Sequence, residues 1–254
     1  MRHSSRTETM RGWLGLVAAL LLVQGCGGPK APDSASGQAA GTASADTAQA
    51  RGESAAARPA AAGQGAFANR TGELVNPDNS TMVFLYYDLA GIPPPIDDWV
   101  EKDSRVQYVP AIEKAAKRAE VKAELESGVA AVRGIGALRL SMNANLSDYD
   151  PSYGEFMVRA LAPSSVVEFP AMGQKVSLKF SNGRTAQIWK VPAAEAQQIR
   201  DKIGYGGNVS LDVGLRITGV LPAPGGGTIS TEVIDYELRD NRSGAMLGRI
   251  QLTQ

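Results

Sequence analysis

Apolar and polar residues alternate strictly along residues 138–146, where Leu138, Leu140, Met142, Ala144 and Leu146 are separated by Arg139, Ser141, Asn143 and Asn145. A period of two over this length predicts a strand with one dry face and one wet face. Residues 209–217 repeat the pattern, with Val209, Leu211, Val213, Leu215 and Ile217 on the dry side. Strands of this kind favour antiparallel pairing. Residues 228–239 and 246–252 predict a hairpin joined through Asn241-Arg242-Ser243-Gly244. Asn182-Gly183 predicts another, with a two-residue turn that pairs Phe180 with Thr185 and Val176 with Trp189. Residues 81–87, Thr-Met-Val-Phe-Leu-Tyr-Tyr, form a short apolar run that reads as a buried strand ended by Gly91 and Pro93-Pro94-Pro95.

Two stretches carry helical signals. Pro110 suits a first helical position, and residues 110–132 predict a long helix with Ile112, Ala116, Ala119 and Ala123 as a thin apolar stripe. A second helix starts at Pro192 and stops at Gly204, with Ala196, Ile199 and Ile203 along one side. Asp97 is placed to cap a short turn that carries Trp99 and Val100. Residues 67–254 therefore predict one α+β domain: a mainly antiparallel sheet or sandwich with two helices.

Ahead of that domain the pattern changes. Residues 27–66 contain no Val, Ile, Leu, Met, Phe, Tyr or Trp. Such a segment has too little apolar area to offset its conformational entropy, so a disordered tether is expected. Its r.m.s. reach is ~35 Å, from about 5–6 Å times the square root of ~40 residues.

Residues 1–25 hold Arg2, Arg6 and Arg11, then an apolar run from Trp13 to Val23. The run is too short to cross a bilayer and suits a secretory leader. It ends in Val23-Gln24-Gly25-Cys26, and here the sequence resembles a bacterial lipoprotein signal, the lipobox. The resemblance implies cleavage before Cys26 and acylation of its thiol and its new amino group. The other reading is an ordinary secretory signal with a chance cysteine. One acyl chain anchors only marginally, so the triacylated cysteine of a lipoprotein meets the need for a second signal. Gly27, where Asp would retain such a protein at the inner membrane, implies passage to the outer membrane.

Cleavage changes the charge and the available chemistry. It removes three arginines and Glu8 from totals of 26 basic and 26 acidic residues, leaving 23 against 25 and a formal charge of −2. That balance speaks against a nucleic-acid-binding surface as the main purpose and leaves room for a local patch. The only histidine, His3, goes with the leader, and the only cysteine, Cys26, is the expected acylation site. Histidine bases, cysteine nucleophiles and His/Cys zinc sites are then excluded, and no cofactor is expected.

Chemistry would fall to carboxylates. The densest oxygen-rich stretch is Asn143-Ala144-Asn145-Leu146-Ser147-Asp148-Tyr149-Asp150, with Tyr153 and Glu155 close behind. Asp148, Asp150 and Glu155 are a candidate ligand site for a hard cation or a sugar. The stretch lacks the glycine and distal glutamate of an EF-hand loop, and Asx turns account for the same aspartates. Glycoside hydrolysis would ask two of these acids to stand roughly 5–9.5 Å apart. Asp97, Asp98, Glu101 and Asp103 make a second acidic group, read as a solvated helix start around a buried Trp99. Gly204-Tyr205-Gly206-Gly207 lacks the Lys-Ser/Thr of a phosphate loop. Two functions follow as expectations. One is a lipid-anchored envelope protein with a non-catalytic binding or assembly role toward another envelope protein or cell-wall glycan. The other is a carboxylate-dependent, glycan-active enzyme or binder built on Asp148 and Asp150.

Overall fold

The alternating segments become the middle of one large sheet. The structure, a computed structural model, describes residues 67–204 and 207–252. The proposed leader, Cys26 and the tether lie outside the described residues. The strands of the sheet are β1 (Gly72–Val75), β2 (Ile135–Asn145), β4 (Val166–Ala171), β5 (Gln174–Phe180), β7 (Asn208–Ala223), β8 (Gly226–Asp240) and β9 (Met246–Gln251). They run in the order β1-β2-β7-β8-β5-β4, and β9 pairs with β8 beside β5. The β1–β2 and β5–β8 pairs are parallel and the rest antiparallel. A separate two-stranded ribbon joins β3 (Glu155–Met157) to β6 (Ile188–Lys190). The domain is thus mixed α/β around a mostly antiparallel sheet. The hairpin around residues 241–244 forms as expected between β8 and β9.

The two-helix expectation is corrected by six α-helical segments among the described residues. These are α1 (Asn79–Ala90), α2 (Ile96–Lys102), α3 (Ser104–Gln107), α4 (Lys114–Ala131), α5 (Gly183–Ala186) and α6 (Ala193–Ile203). Residues 81–87 are not a strand; they lie inside α1. That helix buries Met82, Val83, Phe84, Leu85, Tyr86, Tyr87 and Leu89, which leaves it no polar face to betray a period of 3.6. Its ends are nonetheless written in the sequence. Asp78 accepts a hydrogen bond from the Thr81 N–H at 2.7 Å, and Gly91 closes the helix at φ +65°.

The long helix also shifts. Pro110 to Glu113 form a turn before α4, and Ile112 is 91% exposed. Ala116, Ala119 and Ala123 point to solvent; the buried contact is Val121, followed by the half-buried Leu125 and Val129. Ion pairs from Arg118 to Glu101 and from Lys122 to Asp97 tie α4 to α2, in keeping with a solvated charged face. The prediction for α6 holds, with Ala196, Ile199 and Ile203 buried and Gly204 at its end.

Asn182-Gly183 does not make the expected hairpin turn. The Asn182 side chain is taken by β8, accepting from the Val233 N–H at 2.9 Å and donating to the Val233 carbonyl at 2.8 Å. Those two bonds act as one more rung of the sheet beyond Phe180. They satisfy β8 next to its bulge, where Gly214 faces Asp235 but Leu215 faces Val233. Val176 consequently lies opposite Phe169 and Gly227, and Trp189 opposite Phe156.

Tyr236 is wholly buried on β8, and its hydroxyl has no hydrogen-bond partner among the described residues. Burial pushes its phenol well above the usual range. An unpaired buried hydroxyl costs about 1–3 kcal/mol. Tyr236→Phe should therefore leave stability unchanged or raise it by ~1 kcal/mol in urea unfolding. A loss larger than that would show that the hydroxyl is bonded.

Several caps depend on charge. The Thr81 N–H holds the Asp78 carboxyl below its ordinary 3.8, the Arg105 guanidinium does so for Asp103, and the Ser243 hydroxyl for Asp240. Each is depressed by folding, so its contribution is complete above about pH 5 and lost as the pH falls through 3.8 and below. The urea midpoint should drop between pH 5 and pH 3. A midpoint that stays level or rises would contradict these caps.

Candidate functional site

The predicted trio of Asp148, Asp150 and Glu155 does not converge. Asp150 accepts from the N–H groups of Ser152 at 2.9 Å and Tyr153 at 3.4 Å, an Asx turn that reverses the chain. Its own backbone bonds to Glu155 and Gly154 complete the reversal. Glu155 turns to Lys190 across the small ribbon, at 2.8 Å. Tyr149 donates to the Val191 carbonyl at 2.9 Å and packs its ring on Phe156, with centroids 5.2 Å apart.

Asp148 goes elsewhere. It is exposed, and its carboxylate has no ion-pair partner among the described residues. It lines a cleft of about 670 Å³ together with Asn145, Ser147, Arg159, Gln197, Arg200 and Asp201. Leu146, Phe156 and Ile203, each buried, supply the apolar lining. Several pieces of chain build the cleft, Phe156 of β3 and the glycines Gly204 and Gly207 among them. The end of β2 brings Asn145, and the segment after it brings Ser147 and Asp148. A 3-10 turn at Arg159–Leu161 brings Arg159, and the last two turns of α6 bring Gln197, Arg200 and Asp201.

Local bonds fix these positions. The Ser147 hydroxyl accepts from the Met157 N–H at 2.8 Å and donates to the Asp148 carbonyl at 2.7 Å. Gly207 accepts from the Leu146 N–H at 2.9 Å and stands so close that a Cβ there would lie 2.8 Å from the Leu146 oxygen. Gln197 donates to the Asp201 carboxylate at 2.9 Å, one turn along α6. Asp148 is the one residue of the predicted trio that reaches the cleft. Asn145, Leu146 and Ser147 come with it from the same oxygen-rich stretch, whereas Arg159, Gln197, Arg200 and Asp201 come from segments where nothing in the local pattern separates them from ordinary surface positions.

A second hollow, of about 390 Å³, lies on the wet face of the sheet. Its charges are matched internally. Arg139 meets Asp212 at 3.2 Å and Asp235 at 3.3 Å, and Glu237 pairs with Arg239 and Arg249. The Arg249 guanidinium holds the Glu237 carboxyl below the usual carboxylate range. This is a cross-strand ladder that pins the register of the central strands. Three acids of the group around Trp99 are likewise paired, while Asp98 is exposed. Asp97, Glu101 and Asp103 pair with Lys122, Arg118 and Arg105, while Trp99 packs on Phe84 and Tyr87.

Among the described residues no cluster of three or more acidic, histidine or cysteine side chains is placed to hold a metal. No helix among them is long and apolar enough to cross a membrane. Compared with protein-family models, curated proteins and solved structures, the chain matches none.

Proposed function

We propose that this chain is a lipid-anchored protein of the bacterial cell envelope, attached through Cys26 to the outer membrane, whose domain binds a ligand or partner without transforming it. The observation that supports binding over turnover is the fate of the acids. Asp150 and Glu155 are committed to a turn and an ion pair, and Asp201 is held by Gln197, which leaves Asp148 as the one acid of the cleft with no partner among the described residues. The cleft volume suits a small ligand or a short stretch of polymer. The tether after Cys26 would let the domain reach ~35 Å from the lipid surface. Cell fractionation tests the anchored role. The native chain should sediment with outer membranes and be released only by detergent, and Cys26→Ser should remove it from the outer-membrane fraction. Equal distribution of the two forms would defeat the proposal.

A glycan-active enzyme is the second reading, favoured by Asp148 and Asp201 lining one cleft. It requires that Asp148→Asn abolish turnover of a cell-wall glycan. Under the binding role there is no turnover for that substitution to remove.

A further inference from the structure

We infer that the cleft is an anion site, in which Arg159 and Arg200 grip a carboxylate or phosphate carried by a hydroxyl-rich ligand such as an acidic sugar. The inference rests on the reading of the cleft as the binding site and names the ligand class. Several arginines elsewhere on the domain close onto carboxylates, among them Arg105 on Asp103 and Glu124, Arg118 on Glu101, and Arg139 on Asp212 and Asp235. Arg159 and Arg200 form no ion pair among the described residues, yet they line the same concavity from two separate elements. Their backbones are fixed while their guanidinium groups remain available. The Arg159 carbonyl accepts from the Ser165 hydroxyl at 3.0 Å and the Ala162 N–H at 3.1 Å, and the Arg200 carbonyl accepts from the Gly204 N–H at 2.9 Å.

A third cation stands near the site. The Arg242 guanidinium lies 4.0 Å from where a Cβ on Gly204 would sit, and Gly204 is part of the cleft lining. Of the two acids, Asp201 already receives the Gln197 amide, which leaves Asp148 as the counterweight. A planar guanidinium offers paired donors that match a carboxylate or phosphate edge to edge. The amides of Asn145 and Gln197 suit hydroxyl groups. The Leu146, Phe156 and Ile203 lining suits the apolar face of a ring. Such a mixed lining, with a few convergent polar groups over an apolar base, is what small-ligand sites share.

Calorimetry on the mature, full-length chain in detergent tests this with three probes: an oligomer of glucuronic acid, a sugar monophosphate, and a neutral glucose oligomer of equal length. At least one anionic probe should bind more tightly than the neutral one, and which of the two does so identifies the carboxylate or the phosphate as the source. Its affinity should fall about tenfold in Arg159→Gln and in Arg200→Gln, the loss of one charge-assisted contact. Asp148→Asn should raise it several-fold by removing a like charge. These residues are exposed, and circular dichroism serves as the check that each variant folds. Neutral and anionic oligomers binding alike, with both Arg→Gln variants unaffected, would overturn the anionic assignment and leave the cleft as a binding site. If no probe binds, the anionic assignment and the cleft reading fall together.

Discussion

Gly226→Ala should destabilise the domain by ~3–5 kcal/mol, a large part of the 5–15 kcal/mol that holds a typical domain folded. The β7–β8 hairpin turns at Pro224-Gly225, and β8 begins at Gly226 with φ +141°, a region that L side chains rarely adopt. The larger obstacle is across the strand. Gly226 is the first residue of the parallel β5–β8 pairing, opposite Lys175, and a Cβ there would stand 2.0 Å from the Lys175 carbonyl oxygen. That oxygen belongs to backbone and cannot swing aside as a side chain can. Relief requires β5 to separate from β8, and the β4–β5 hairpin would lose its seat on the sheet. Urea unfolding should give either a sharply lower midpoint or no folded protein. A loss under about 1 kcal/mol would mean that β5 does not run parallel along the start of β8.

Trp189→Ala should cost about 3–5 kcal/mol and weaken the cleft at the same time. Trp189 is 5% exposed and packs at a tilt against Phe156, with centroids 5.5 Å apart and planes inclined by 32°. Its six-membered ring also covers Gly248 on β9, where an added Cβ would fall 2.5 Å from the ring. The indole thus wedges the small β3–β6 ribbon onto the edge of the large sheet. Phe156, which it supports, lines the cleft, so the void should loosen that lining as well as the core. Trp189→Phe keeps an aromatic contact and should recover most of the stability. If the alanine variant unfolds at the native midpoint, the ribbon does not pack on β9.

What is legible in the sequence follows from which elements have a wet face. β2 and β7 carry one dry side and one solvated side, and the alternation by itself predicts both strands. The amphipathic α6 is visible for the same reason. α1 is not, because a helix buried on every side shows neither period and its apolar run imitates a strand. The Asp78 and Gly91 caps are the signals that separate the two, and they lie outside the run itself. Asn182-Gly183 misleads differently. Its local turn chemistry is overridden by a tertiary bond pair with Val233, and a Cβ on Gly183 would meet the Leu161 carbonyl at 2.7 Å. The candidate site is half visible. Asp148 stands out in an oxygen-rich stretch, whereas Arg159 and Arg200 belong to ordinary-looking segments and gain meaning only from the concavity they share.

Anchoring through Cys26 is tested most directly by the mass of the N-terminal peptide of the chain purified from its native membrane. The expected peptide begins at Cys26, and its mass exceeds that of the bare residues by a diacylglyceryl group and a third acyl chain. A free Cys26 thiol, cleavage at any other residue, or an intact leader would contradict the lipid anchor.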